Sequence, residues 1–208
     1  MLPEAALASY DAGGDWRIMG GGLAVEHASL LDATTGLVPP GRHAITLSDV
    51  YDTLVQAPQF SNSTTRKELW SEWEHHRLII TAYTGEIERI WLAGSFASNK
   101  LNPPDIDTTY LIRAEVFDRL NGEDLEMLAD ATDKSWCIEH DMRIDPYLIR
   151  MPENLPFRNL TPSTFNTKTS DSFRDIGLYD EVWQRVHPSL LGENETTSAR
   201  RGYVEVLL

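Results

Sequence analysis

The chain has 208 residues, enough for one ordinary core or a core with a small appendage, and it carries a formal net charge of -14. So acidic a surface repels phosphate backbones and argues against broad, nonspecific binding to nucleic acid or to anionic membrane. No apolar run approaches the roughly 18 residues of a membrane span, and Cys137 as the only cysteine excludes an intrachain disulfide, so the expectation is a soluble, cytoplasmic protein with no membrane partner.

Residues 1–62 are rich in Gly, Pro, Ala and Thr, with turn signals at Gly13-Gly14, Gly20-Gly21-Gly22 and Pro39-Pro40-Gly41. They read as an irregular N-terminal arm packed on the core. Within the arm, Leu47 to Val55 starts after Thr46 or Ser48, carries an early Asp49, and predicts a short helix ahead of Pro58. At Ser63 the character changes, and residues 63–208 read as the main domain. Leu69, Trp70, Trp73, Arg77, Ile80 and Tyr83 recur at helical spacing until Gly85 offers a stop. Trp70 and Trp73 form the core stripe of that helix, and the adjacent His75 and His76 point in different directions and make a poor metal pair.

Ile87 to Ala93 is a short apolar run that ends at Gly94-Ser95, as a buried strand does. Asp107 to Ile112 is a second strand, and Leu125, Leu128 and Ala129 mark an amphipathic helix between Glu123 and Lys134. Met142 to Ile149 is a third strand, with Arg143, Asp145 and Tyr147 on one face and Ile144 and Leu148 on the other. Pro146 removes a ladder donor from it, so it lies at an edge or ends its pairing there. A loop-rich stretch leads to a helix over about 171–186, and Tyr203 to Leu208 closes the chain as a strand. The pattern predicts an α/β (α+β) fold, a small mixed sheet flanked by helices.

The segment that carries chemistry runs from Trp91 to Ile112: a strand, a Gly94-Ser95 turn, a short polar return, and a paired Asp105-Ile106-Asp107 opening the next strand. Gly94 permits close backbone approach, and the amides after it, with the Ser95 hydroxyl, can donate to a triphosphate. Ser95 is thereby a phosphate anchor, not a nucleophile. Asp105 and Asp107 lie two apart on a strand, so their carboxylates face the same way with Cα atoms about 6.6 Å apart. Carboxylates so placed share hard cations, and two-metal sites of this kind stabilise the attacking and leaving oxygens of an in-line displacement. A third carboxylate on a neighbouring strand would complete the set; Asp145 is the first choice and Asp141, on the same face, the reserve. Arg66 with Lys67, Lys100, Arg143 with Arg150, and Arg200 with Arg201 are the cations a polyanionic substrate could meet.

On these residues the chain resembles the DNA polymerase beta-like nucleotidyltransferase superfamily, whose pattern is Gly-Ser, a spacer, Asp-x-Asp and one later Asp. The wording is most similar to a bacterial and phage family of minimal nucleotidyltransferase-like proteins, which pairs a Gly-Ser-Phe-Val-Thr-x-Lys-like turn with Pro-x-Asp-Ile-Asp. Here these correspond to Gly94 to Lys100 and Pro103 to Asp107, with Pro39 to His43 upstream and Arg201 to Leu208 resembling the closing strand. The resemblance covers the chain from about Leu37 onward. It implies transfer of a nucleoside monophosphate from an NTP to a hydroxyl of tRNA or a protein, with Mg²⁺ or Mn²⁺ on Asp105, Asp107 and Asp145, and with Gly94, Ser95 and Lys100 on the nucleotide. Relatives modify tRNA ends, proteins or antibiotics, several of them as toxins in toxin–antitoxin pairs or in phage defence, and for those the resemblance implies a cognate inhibitor protein as a partner. Two departures stand out: Pro146 after the third Asp, and Ala97-Ser98 where the family favours Val-Thr.

An acidic Asp-x-Asp pair also marks haloacid-dehalogenase-like phosphatases and many glycosyltransferases, but there an apolar strand precedes the pair. Here Leu101-Asn-Pro-Pro104 precedes it and the apolar strand follows. Gly20 to Gly22 lacks the Lys-Ser/Thr ending of a phosphate loop, Cys137 and His140 are too few for a structural zinc site, and Ser95 lacks the flanking glycines of a nucleophile elbow. A catalytically degenerate module that binds a nucleotide or a partner protein is the alternative.

Overall fold

The computed structural model describes residues 30–187 and 199–208. The turn signals at Gly13-Gly14 and Gly20 to Gly22 lie outside the described residues.

Among the described residues, a five-stranded mixed sheet is flanked by six α-helices, the α+β architecture the sequence predicts. In chain order the elements are β1 (Gly41–Thr46), α1 (Leu47–Leu54), α2 (Arg66–Thr84), β2 (Arg89–Ala93), β3 (Ile106–Ile112), α3 (Ala114–Phe117), α4 (Gly122–Ala131), α5 (Lys134–Glu139), β4 (Ile144–Arg150), α6 (Thr167–Trp183) and β5 (Gly202–Leu207). The strand order is β1-β5-β2-β3-β4. The outer pairs β1/β5 and β3/β4 are parallel, and the inner pairs β5/β2 and β2/β3 are antiparallel. Among the described residues no helix is long and apolar enough to cross a membrane.

Two expectations need correction. Residues 41–46, read as part of an irregular arm, form β1, because their backbone pairs with β5 from Gly41 opposite Gly202 to Thr46 opposite Leu207. The helix expected over 123–134 is two helices: α4 stops at Ala131, and Asp133 caps a new one by accepting from the amides of Ser135 and Trp136. The short helix within the arm is present as α1, where Thr46 and Asp49 form a reciprocal capping box.

The sheet has two buried faces. Ile90, Leu92, Ile106, Tyr110, Ile144, Val204 and Val206 point into the larger core, which α1, α2, α4 and α5 cover. The long α2 shows why: Leu69, Trp70, Trp73, His76, Ile80 and Thr84 fall on one side of it, and Gly85 ends it at φ 74°. Trp73 is fully buried and donates its Nε1 proton to Thr108 Oγ1, while His76 bonds both the Tyr110 hydroxyl and the Ala131 carbonyl, so both of these buried rings have their polar atoms paired. The opposite face carries Trp91, Ala93, Leu111, Ile149 and Tyr203 against Trp183 of α6. Because side chains alternate along a strand, Asp107, Thr109 and Leu111 of β3 and Asp145, Tyr147 and Ile149 of β4 all project to the α6 face. Trp183 Nε1 donates to Thr109 Oγ1 and fixes the helix over it.

Candidate functional site

Three strands bring the site together at one end of the sheet. Ala93, the last residue of β2, is the register partner of Asp107 on β3, and Asp107 is the register partner of Asp145 on β4. The Gly94-Ser95 turn leaves β2 at this same end, because β2 and β3 run antiparallel. Asp105 precedes β3 by one residue and lies two residues from Asp107. The structure thus gathers Gly94, Ser95, Asp105, Asp107 and Asp145, which the sequence marks from three separate segments. Asp141 is not among them: it is exposed in a left-handed turn at φ 57°, outside β4. Pro146 sits on β4, an edge strand, and the parallel register that sends the Met151 amide to the Ile112 carbonyl turns position 146 away from β3, so its missing proton removes no bond from the ladder.

Gly94 is required by contact as well as by conformation. Its φ is 59°, and a Cβ added there would lie 1.6 Å from Asp107 Oδ2, so the turn and the carboxylate approach as closely as glycine allows. Two buried arginines brace the turn from behind. Arg66 sends Nη1 to the carbonyls of Leu54 and Phe96 at 2.7 and 2.9 Å, and Nη2 to those of Ser98 and Lys100 at 2.7 Å each. Its plane lies 3.7 Å from the centre of the Phe60 ring. Arg201 of the closing segment adds a bond from Nη2 to the Ala97 carbonyl. These cations, expected among the surface candidates for a polyanion, are buried and structural. Arg143 is held by Glu72 and Glu68, Arg150 by Asp118 and Glu153, and Arg200 by Glu181. Lys100 ends the turn with an exposed side chain, and among the described residues its ammonium pairs with no carboxylate.

Burial pushes the Asp107 carboxyl up to about 6, and the charges of Asp105 and Asp145 push it the same way, against the opposing pull of Lys134 and Arg201. Lys134, the first residue of α5, places Nζ 2.6 Å from Asp145 Oδ2 and 3.5 Å from Asp105 Oδ2. Among the described residues no three His, Cys, Asp or Glu side chains close to metal-ligand spacing. The donor set nevertheless suits a hard divalent cation: oxygen ligands alone, from two adjacent strands, around a point already taken by a positive group. Beside it, Ser95 Oγ is buried with no hydrogen-bond partner, an orphaned donor at the position expected to hold phosphate. These residues fit a metal–nucleotide.

Lys134 escaped the sequence reading, in which it ends the helix of 123–134. The signal for it was Asp133 as a cap, which starts a helix at Lys134 and turns it toward β4. Tyr147 and Tyr179 flank the carboxylates on the α6 face, with ring centres 5.1 Å apart and Trp183 beneath. Tyr147 is visible in the sequence as the alternation partner of Asp145, whereas Tyr179 reaches the site only through the packing of α6.

A protein-family model described as a family of unknown function, DUF6932, matches residues 31–207. No curated protein and no solved structure matches the chain.

Proposed function

This chain belongs to the DUF6932 family, and from its site we propose that it is a divalent-cation-dependent nucleotidyltransferase, moving an NMP from an NTP to a hydroxyl of tRNA or a protein. One observation carries the reading: Asp105, Asp107 and Asp145 converge beside a Gly94-Ser95 turn whose Ser95 Oγ is buried and unpartnered. The resemblance to the DNA polymerase beta-like superfamily supports it, because that superfamily places the same residue types in the same order. Asp105, Asp107 and Asp145 would hold Mg²⁺ or Mn²⁺, which when bound neutralises the charge that develops on the phosphoryl oxygens. Ser95 and the turn amides hold the phosphates, and Arg66 and Arg201 keep that turn rigid from within the core. Tyr147 and Tyr179 offer an aromatic wall for the base. The acceptor oxygen forms a bond to the α-phosphorus as the bond to the pyrophosphate leaving group breaks, and the acceptor's proton passes to solvent water. With the protein's net charge of -14, a protein acceptor or a locally gripped RNA end suits it better than a long duplex. A cognate inhibitor protein and a cytoplasmic setting belong to the same proposal.

The test is incubation with each labelled NTP, Mg²⁺ and whole-cell extract, with nuclease and protease digestion of labelled products. Label transfer is expected from the wild type and none from Asp105→Ala/Asp107→Ala; transfer that persists in the double variant refutes the assignment. A second reading, nucleotide or partner binding without catalysis, is favoured by the Lys134 ammonium standing between Asp145 and Asp105. Calorimetric NTP binding by the wild type, with no labelled product, would select it.

A further inference from the structure

Lys134 is placed with more care than a surface ion pair needs. Asp133 Oδ1 accepts from the amides of Ser135 and Trp136 at 2.7 and 3.2 Å, which starts α5 at Lys134 and aims its first side chain across the end of β4. One ammonium then touches two carboxylates of the same site, Asp145 and Asp105, on either side of Asp107. Its side chain is 48% exposed, so the flexible four-carbon stem has solvent to move into.

We propose that Lys134 is the resident counter-ion of this site: it spans Asp105 and Asp145 in the metal-free protein and withdraws when a divalent cation takes the same carboxylates. The inference rests on the reading that these carboxylates hold a metal. It gives Lys134 a task the resemblance does not assign. Three carboxylates drawn together on adjacent strands repel one another without a cation, and an ammonium on a mobile stem supplies one that a metal can displace. Lys134 is then a positioning residue, and metal affinity is set in part by how firmly the ammonium holds its place.

The experiment measures Mn²⁺ binding by calorimetry and metal-free melting temperature for the wild type, Lys134→Met, Lys134→Gln and Lys134→Arg. Lys134→Met keeps most of the stem and removes the charge; Lys134→Gln is a second neutral variant should the first fail to fold. The neutral variants should bind Mn²⁺ about fivefold or more tightly, the factor set by the strong end of an exposed ion pair. They should also melt lower without metal and gain more from Mn²⁺, while Lys134→Arg stays near the wild type. Equal Mn²⁺ affinity in wild type and neutral variants overturns the proposal, as does Mn²⁺ binding by none of them. If the wild type binds Mn²⁺ and the affinity ratio is as expected but no NTP label is transferred, the transferase reading falls and the role of Lys134 stands.

Discussion

Replacement of Arg66 by alanine tests whether the phosphate-side turn is held from inside the core. The guanidinium is fully buried and donates to four carbonyls, those of Leu54, Phe96, Ser98 and Lys100. At about 1.5 kcal/mol for each bond from a charged donor, the four contribute about 6 kcal/mol. Burial opposes them: it lowers the Arg66 pKa from 12.5 to about 10, which at about 1.4 kcal/mol per unit returns roughly 3 kcal/mol. The net loss in Arg66→Ala is therefore about 3 kcal/mol, a large share of the 5–15 kcal/mol that holds a typical domain (about 0.05–0.15 kcal/mol per residue). Urea unfolding followed by tryptophan fluorescence reads it directly. With m of about 2 kcal/mol/M, the midpoint should fall by about 1.5 M. Arg66→Lys should also lose stability, since one ammonium with three donors cannot serve four carbonyls spread over two segments. A midpoint shift below about 0.5 M in Arg66→Ala would refute the reasoning, because it would mean that water or neighbouring groups satisfy those carbonyls as well as the arginine does.

Gly94→Ala should abolish nucleotidyl transfer in a chain that still folds, since its Cβ displaces the Asp107 carboxylate, and the left-handed backbone alone costs about 1–2 kcal/mol; a variant with wild-type transfer rates would show that the close approach is dispensable. His76 should make stability sensitive to mild acid. Burial, aided by the charge of His75 and opposed by the Ala131 carbonyl, holds its pKa below 6.5 in the folded protein. Below about pH 6.5 the unfolded chain then binds more protons, so stability is full above that pH, declines by up to about 1.4 kcal/mol per unit as pH falls toward the folded pKa, and levels off beyond it. Urea midpoints of the wild type and His76→Asn between pH 7.5 and 5 isolate this contribution from that of other groups, Asp107 among them. Parallel pH profiles would refute it.

What the sequence revealed follows the range of the interactions involved. β2 and β3 were legible as short apolar runs because both their faces are buried, α2 because its buried positions recur at helical spacing, and α1 because Thr46 and Asp49 advertise a cap, whereas α6, expected over about 171–186, runs Thr167–Trp183. β1 was not: Gly41 to Thr46 has no continuous apolar run, and it becomes a strand only by pairing with β5, far along the chain. The site divides in the same way. Gly94, Ser95, Asp105 and Asp107 are close in sequence, and Asp145 could be placed because alternation along β4 fixes its face. Lys134 and Tyr179 arrive by helix docking, which spacing does not encode. Arg66 was misread because a cation's charge is visible in a sequence and its burial is not.

The place of β5 has a consequence for how the sheet forms. It is the last of the described strands in sequence order, yet it lies between β1 and β2. Until residues 202–207 arrive, β1 has no partner among the described strands and β2 shows one open edge. Long-range pairing of this sort slows folding, and an unpaired edge recruits other chains. During synthesis, then, the hazard for this protein is edge-to-edge aggregation of a half-built sheet, and a peptide with the sequence Gly-Tyr-Val-Glu-Val-Leu, supplied in trans to a chain cut before it, would be its natural antidote.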